Sequence, residues 1–192
     1  MHDIILASSS PQRRSLLHDL GVAFRVEPST VDEDACGLRD PVERAAHLAR
    51  LKASDVASRA PGHIVIGCDT LVVAPTGELL EKPADAADAV RMLRLQRAGT
   101  SVVHSGLCVL APDGAAYEGM SSSRVRFGAF DEATVAWWVR LGLWEGRSGA
   151  FQIDGPGQLL IEHIDGDWTG IVGLPVHLLG QLLERVGAPL TR

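Results

Sequence analysis

Between two long strand-like runs, residues 101–110 and 116–127, stands the turn Pro112-Asp113-Gly114. Proline presets a turn dihedral, and glycine accepts the left-handed conformation that a tight reversal needs. The pair predicts a long hairpin, which is incompatible with a purely parallel, doubly wound sheet. Ahead of the hairpin, residues 3–7 read as a short buried strand, and Ser10-Pro11 starts a helix with Leu16, Leu17 and Leu20 on its buried stripe and Gly21 at its end. Residues 22–27 read as a second strand and 28–38 as an acidic loop. Asp40-Pro41-Val42-Glu43 opens a helix to about residue 59, with Val42, Ala45, Ala49 and Val56 on one face.

The apolar run 63–67 predicts a strand. Residues 71–73 and 78–80 predict a small hairpin around Pro75-Thr76-Gly77, and 85–96 an alanine-rich helix packing through Val90 and Leu93. After the long hairpin come a helix capped by Asp131 that packs Val135, Trp138 and Val139, a glycine-rich loop over 142–157, a strand at 159–164, and a last helix from Pro175 to near Gly187. This order gives an α/β protein with a mixed sheet. If there are two lobes, the second is formed mainly by residues 100–170.

Composition narrows the function. Hydrophobic residues make up 46% and charged residues 22%, the balance of a globular chain. The net charge of −6 argues against a nucleic-acid-polymer binder, which needs a basic surface, but leaves room for a local nucleotide pocket helped by a divalent cation. No run approaches the roughly 20 apolar residues of a membrane span, and Ile4 to Ala7 is too short for a secretion signal. Three cysteines without a CxxC pair suggest neither zinc nor a disulfide framework, and fit a reducing compartment.

Four places can carry chemistry. The turn Ser8-Ser9-Ser10-Pro11-Gln12-Arg13-Arg14 combines a helix start, hydroxyls and two guanidinium groups, a set that suits a phosphate chain. It also reads as a capped helix with solvated arginines, and it lacks the glycine spacing of a Walker loop. Gly67-Cys68-Asp69-Thr70 follows an apolar strand, where a carboxylate can hold Mg²⁺ or activate water, or simply bond its own turn. Lys52 falls three residues after Ala49 on a face of small apolar residues, and Lys82 precedes Pro83; each can equally be a solvated charge. Asp32-Glu33-Asp34 offers a second metal ligand or a charged loop. Ser105 and the other serines have no nucleophile-elbow context, and Cys36, Cys68 and Cys108 read as inert thiols. Trp138 reads as core, Trp137 and Trp144 as packing between lobes or subunits, and Trp168 as part of a Gly-Asp-Trp-Thr-Gly loop.

These motifs, in this order, resemble the Maf-like nucleoside triphosphate pyrophosphatases, the septum formation inhibitor-like proteins. The likeness covers Leu6 to Arg14, Val31-Asp32-Glu33, Lys52, Ile66 to Thr70, Glu81-Lys82-Pro83, Ser148 to Phe151 and Ile171 to Pro175. The resemblance implies one Maf-like domain over 1–192, with an elongated mixed β-sheet, flanking helices and two lobes around a cleft, as in inosine triphosphatase-like folds. It implies cleavage between the α and β phosphates of a nucleoside triphosphate, possibly modified or noncanonical, to a monophosphate and pyrophosphate. A divalent cation, Mg²⁺ or Mn²⁺, a homodimer and a cytoplasmic location go with it. By the same resemblance Asp69 is the catalytic acid-base residue, Glu33 joins it around metal or water, Lys52 and Lys82 balance the phosphates, and Ser8, Arg13 and Arg14 line the phosphate side.

The positions that go with base choice are Gln12, Thr70 and Asp154, with Gln152 two residues before the last. Thr70 matches the thymidine/uridine-triphosphate subgroup, which has arginine and glutamine where this chain has Gln12 and Asp154. An acidic side chain at 154 leans towards a guanine-like base, because it accepts from the ring N–H and the amino group. Two other functions fit the same residues: a nucleotidase releasing orthophosphate, and a nucleotide-binding regulator of cell division with little catalysis.

Overall fold

The first strand, β1 (Ile4–Leu6), is buried along its whole length, as a short apolar run without alternation requires. The computed structural model describes residues 3–190; of the domain expected over 1–192, the outermost two residues at each end lie outside this range. Ser10 caps α1 (Pro11–Asp19) by accepting from the Arg13 N–H, with Pro11 in the first turn. β2 (Phe24–Val26) follows, then a loop to Asp40, whose carboxylate caps α2 (Pro41–Arg59) by accepting from the N–H groups of Val42 and Glu43. Ala45, Ala49 and Val56 are buried as their spacing predicts, whereas Val42, in the first turn, is 38% exposed.

β3 (Ile64–Val73) is one continuous strand. The sequence pattern instead ends a strand at Gly67 and begins another at Leu71. The structure joins them because Cys68 and Asp69 are both buried, so the apparent polar break is not a turn. The chain continues through β4 (Leu79–Leu80), α3 (Ala86–Gln96), β5 (Thr100–Leu110), β6 (Ala116–Phe127) and α4 (Glu132–Arg140). Asp85 and Asp131 cap α3 and α4 through N–H groups three residues on. Two 3-10 turns follow, Ser148–Ala150 and Gly155–Leu160, so β7 (Ile161–Asp165) starts two residues later than its apolar pattern suggests. The predicted loop around Trp168 is in fact a short helix, α5 (Trp168–Val172), with the Asp167 carboxylate accepting from the Thr169 N–H and hydroxyl. The chain closes with α6 (Val176–Arg185).

The seven strands form one mixed sheet in the order β2-β1-β3-β5-β6-β7, with β4 paired to β3 off this path. β1 is parallel to β2 and β3, and Leu6 sits opposite both Val26 and Ile66. β3–β4 and β6–β7 are antiparallel.

Two compact units divide the chain. The first comprises residues 1–70, 105–121 and 173–192. Its apolar residues pack on both faces of its strands. Ile66, Cys68, Leu107 and Val109 meet α1 and α6 side chains such as Leu17 and Leu183, while Ile5, Val65 and Cys108 meet Ala49, Ala53 and Val56 of α2. The second unit comprises 71–104 and 122–172. Its core gathers Leu93, Phe127, Trp138, Phe151 and Leu160. The Trp138 indole N–H donates to the Ala150 carbonyl at 2.8 Å, satisfying the polar end of a fully buried ring. Trp137 and Trp144 pack against this same core.

Candidate active site

Gly67 on β3 and Gly106 on β5 fix where α2 lies in the first unit. A β-carbon at either would collide with helix backbone, at Ala49 and Ala53 for Gly67 and at Ala45 and Ala46 for Gly106. The helix therefore rests directly on the strands. Lys52 lies between Ala49 and Ala53, and the burial of that face draws its long side chain in with it. β3 alternates, so Val65, Gly67 and Asp69 point to the α2 side, and Asp69 meets Lys52.

The Lys52 ammonium donates to Asp69 Oδ1 at 2.6 Å and lies 3.0 Å from Glu33 Oε2. The Lys52 and Asp69 side chains are 8% and 4% exposed, and Glu33 is 38% exposed. One cation thus serves two carboxylates at the edge of solvent. The other Asp69 oxygen, Oδ2, is buried and has no hydrogen-bond partner. A buried carboxylate oxygen in that state is costly unless a proton, water or cation joins it. Among the described residues no three His, Cys, Asp or Glu side chains cluster to hold a metal.

Glu33 sits on a loop tied down along α2. Arg44 donates to the Glu33 carbonyl at 3.4 Å. Further along, Asp55 accepts from the Thr30 N–H at 2.8 Å and from its hydroxyl at 3.1 Å. Arg59 bonds Asp55 at 3.0 Å, Glu27 at 2.7 Å and the Pro28 carbonyl at 3.1 Å. The Thr30 N–H, ahead of Arg59, holds the Asp55 carboxyl below its ordinary value of 3.8.

On the opposite side of β3, Arg13 is held at three points. Its Nε donates to the Gly173 carbonyl at 2.8 Å, Nη1 to Ser8 Oγ at 3.2 Å and Nη2 to Thr70 Oγ1 at 3.2 Å. Thr70 Oγ1 is also 2.8 Å from Ser105 Oγ. Gln12 is half-buried and accepts from the Ser10 hydroxyl at 3.1 Å; Arg14 is exposed. The Cys68 thiol donates to the Gly173 carbonyl at 3.0 Å, and burial pushes its pKa up, as expected of an inert thiol.

The first unit thus brings the predicted residues together as two groups, Glu33 with Lys52 and Asp69, and Ser8 with Arg13 and Thr70. Lys82, Gln152 and Asp154 belong to the second unit. Lys82 is exposed, beside Glu81, whose carbonyl accepts from the Gly149 N–H at 3.1 Å. Gln152 Nε2 donates to the Asp154 carbonyl at 3.4 Å, and Gln152 Oε1 is buried without a partner. Burial pulls the Arg147 guanidinium down and the Asp154 charge opposes this. The Asp154 carboxylate does not cap the 3-10 turn that follows it.

A family model described as Maf-like protein matches residues 3–186. The chain belongs to this Maf-like family. A Deinococcus radiodurans Maf-like relative named dTTP/UTP pyrophosphatase is 43% identical over 184 residues, covering 96% of this chain and 93% of its own. Proteins of the same name from Pyrococcus furiosus and Symbiobacterium thermophilum are 36% and 39% identical, over 96% and 99% of this chain and 95% and 97% of theirs.

One contributor to the site escapes a reading of the sequence: Ser105 has no motif around it, whereas Gly173, whose carbonyl binds Arg13, lies in the Ile171 to Pro175 motif. The usable signal for Ser105 is strand alternation, which puts it on the same face of β5 as Leu107 and Val109, the face that Thr70 shares on β3.

Proposed function

We propose that this Maf-like chain hydrolyses the α–β phosphoanhydride of nucleoside triphosphates, releasing a nucleoside monophosphate and pyrophosphate. The observation that carries the reading is the buried, unpartnered Oδ2 of Asp69 beside the lysine it shares with Glu33. Attack on a polyphosphate needs charge neutralisation and an oriented water more than a covalent nucleophile. Asp69 is suited to take the proton of that water. Lys52 holds its carboxylate in place, and Arg13, with Ser8, receives a phosphate oxygen. Arg14 and Lys82, both exposed, add positive charge for the rest of the triphosphate.

The residues also fit a divalent cation. Asp69 Oδ2 and the Glu33 carboxylate would hold it, and two carboxylates are a usual protein share for Mg²⁺, whose remaining ligands come from phosphate and water. When bound, such an ion supplies charge compensation for the phosphate oxygens.

The names of the relatives favour thymine or uracil as the base, against the lean drawn from Asp154. We take Gln152 as the reader of that base. Its unpartnered Oε1 can accept the ring N3–H, and its amide group matches a mixed donor–acceptor edge. A cytoplasmic homodimer belongs to the same reading; the three unpaired cysteines suit a reducing compartment.

The test is turnover of dTTP, UTP and GTP with Mg²⁺ or Mn²⁺, with pyrophosphate and orthophosphate measured separately. The reading expects pyrophosphate, loss of turnover with EDTA, and a fall of about 100- to 10,000-fold in Asp69→Asn. Orthophosphate as the product, or equal rates for wild type and Asp69→Asn, would overturn it. Gel filtration checks the dimer.

A further inference from the structure

We propose that Ser105 is a positioning residue that acts through Thr70 to hold the Arg13 guanidinium in the orientation that receives substrate phosphate. This rests on the triphosphate reading above and extends it to a residue that no motif marks.

A guanidinium carries five N–H donors in a rigid plane. Three of those of Arg13 are committed, to the Gly173 carbonyl, Ser8 and Thr70. One hydrogen on each terminal nitrogen is left, the pair that can engage a phosphate oxygen. Which way that pair faces depends on the plane of the group, and the plane depends on all three anchors. Gly173 contributes a carbonyl fixed by the backbone. Thr70 contributes a hydroxyl, which rotates.

The rotation is what Ser105 removes. Thr70 Oγ1 has one hydrogen and two lone pairs, and its neighbours include Arg13 Nη2 at 3.2 Å, Ser105 Oγ at 2.8 Å and the Gly173 carbonyl at 3.4 Å. Arg13 can only donate, so Thr70 must turn a lone pair towards it. If Thr70 donates to Ser105, its hydrogen is held away from Arg13. If Ser105 donates to Thr70, the Thr70 hydrogen goes to the Gly173 carbonyl, again away from Arg13. Either arrangement keeps the acceptor side of Thr70 on the guanidinium. Ser105 is 1% exposed, so water does not readily replace it. Without it, the Thr70 hydroxyl loses its 2.8 Å contact, and its bond to the Gly173 carbonyl is a long 3.4 Å.

The experiment measures KM and kcat for dTTP, UTP and GTP in wild type, Ser105→Ala, Ser105→Thr, Thr70→Val and Arg13→Ala, with folding checked by thermal melts. Ser105→Ala and Thr70→Val are expected to raise KM by about 3- to 10-fold, with kcat changing less. Ser105→Thr, which restores the hydroxyl, is expected to recover most of the loss. In an Arg13→Ala background the Ser105→Ala effect is expected to vanish, because the group it positions is gone. Thr70→Val preserves shape and serves if Ser105→Ala does not fold. An unchanged KM in Thr70→Val, or a Ser105→Ala effect that persists without Arg13, would overturn the proposal while wild-type pyrophosphate release left the broader reading standing. Absence of pyrophosphate release by wild type would overturn that broader reading instead.

Discussion

Lys52 reaches from the middle of α2 to bind one oxygen of Asp69 at 2.6 Å and leaves the other oxygen of the same carboxylate buried and without a partner. The two oxygens of a single side chain are thereby set apart. Oδ1 answers to the lysine, while Oδ2 is open to chemistry.

Removing one member of this pair is expected to cost stability as well as activity. Lys52→Ala strands the Asp69 carboxylate, whose side chain is only 4% exposed, and breaking such a buried pair costs about 3–5 kcal/mol. The double variant Lys52→Met with Asp69→Leu removes both charges and is expected to recover most of that loss while remaining inactive. Urea titrations of the single and double variants, run beside activity assays, check both halves.

Gly67→Ala places a β-carbon against the Ala49 carbonyl and the Ala53 backbone. Helix and strand cannot both keep their positions, and a destabilisation of about 1–3 kcal/mol or more is expected. Activity should fall further than stability alone accounts for, because the displaced helix carries Lys52. Gly114→Ala makes a useful comparison, since its added carbon meets nothing within 4 Å and the cost is only the strain at φ 86°.

The loop carrying Glu33 is expected to loosen in acid. Its anchor Asp55 has its pKa lowered, first by the Thr30 N–H. A carboxyl with a lowered folded value stabilises the fold above its ordinary value of 3.8, and the contribution disappears as pH falls through the folded value. Asp55→Asn should therefore weaken the wild-type dependence between about pH 5 and pH 2 and lower stability at neutral pH. Hydrogen exchange at the Thr30 amide, followed against pH in both proteins, reads this directly.

The cysteines are expected to alkylate unequally. Burial pushes Cys108 up to about 12 and also raises Cys68, so neither presents a thiolate near neutral pH. Iodoacetamide should mark the half-buried Cys36 first and reach the other two only on unfolding. Mass spectrometry of the native and urea-unfolded protein distinguishes the three sites.

Features decided within a few residues were legible in the sequence. The caps at Ser10, Asp40 and Asp131 all form, since a cap needs only one side chain and the next turn. The buried face of α2 was also legible from Ala49 and its neighbours, whereas that Lys52 turns inward and is not a solvated charge depends on its distant partner Asp69. The continuity of β3 was not. Whether Cys68-Asp69 is a turn or mid-strand depends on a buried cation 17 positions earlier, a partnership that local pattern does not encode. The helix at Trp168 was hidden because Gly-Asp-Trp-Thr-Gly has the composition of a turn, while Asp167 uses the same residues as a cap. Ser105 was hidden because its partner Thr70 is 35 residues away.

The seat of α2 on Gly67 and Gly106 also has a consequence for altering this protein. Slipping the helix by one residue would turn Lys52 by about 100°, and the two backbone contacts leave no room for such a slip. The ionic geometry is thus enforced by atoms that are not there. Attempts to retune the substrate can vary other groups, but Gly67 and Gly106, which bear no functional group at all, leave no room for a side chain.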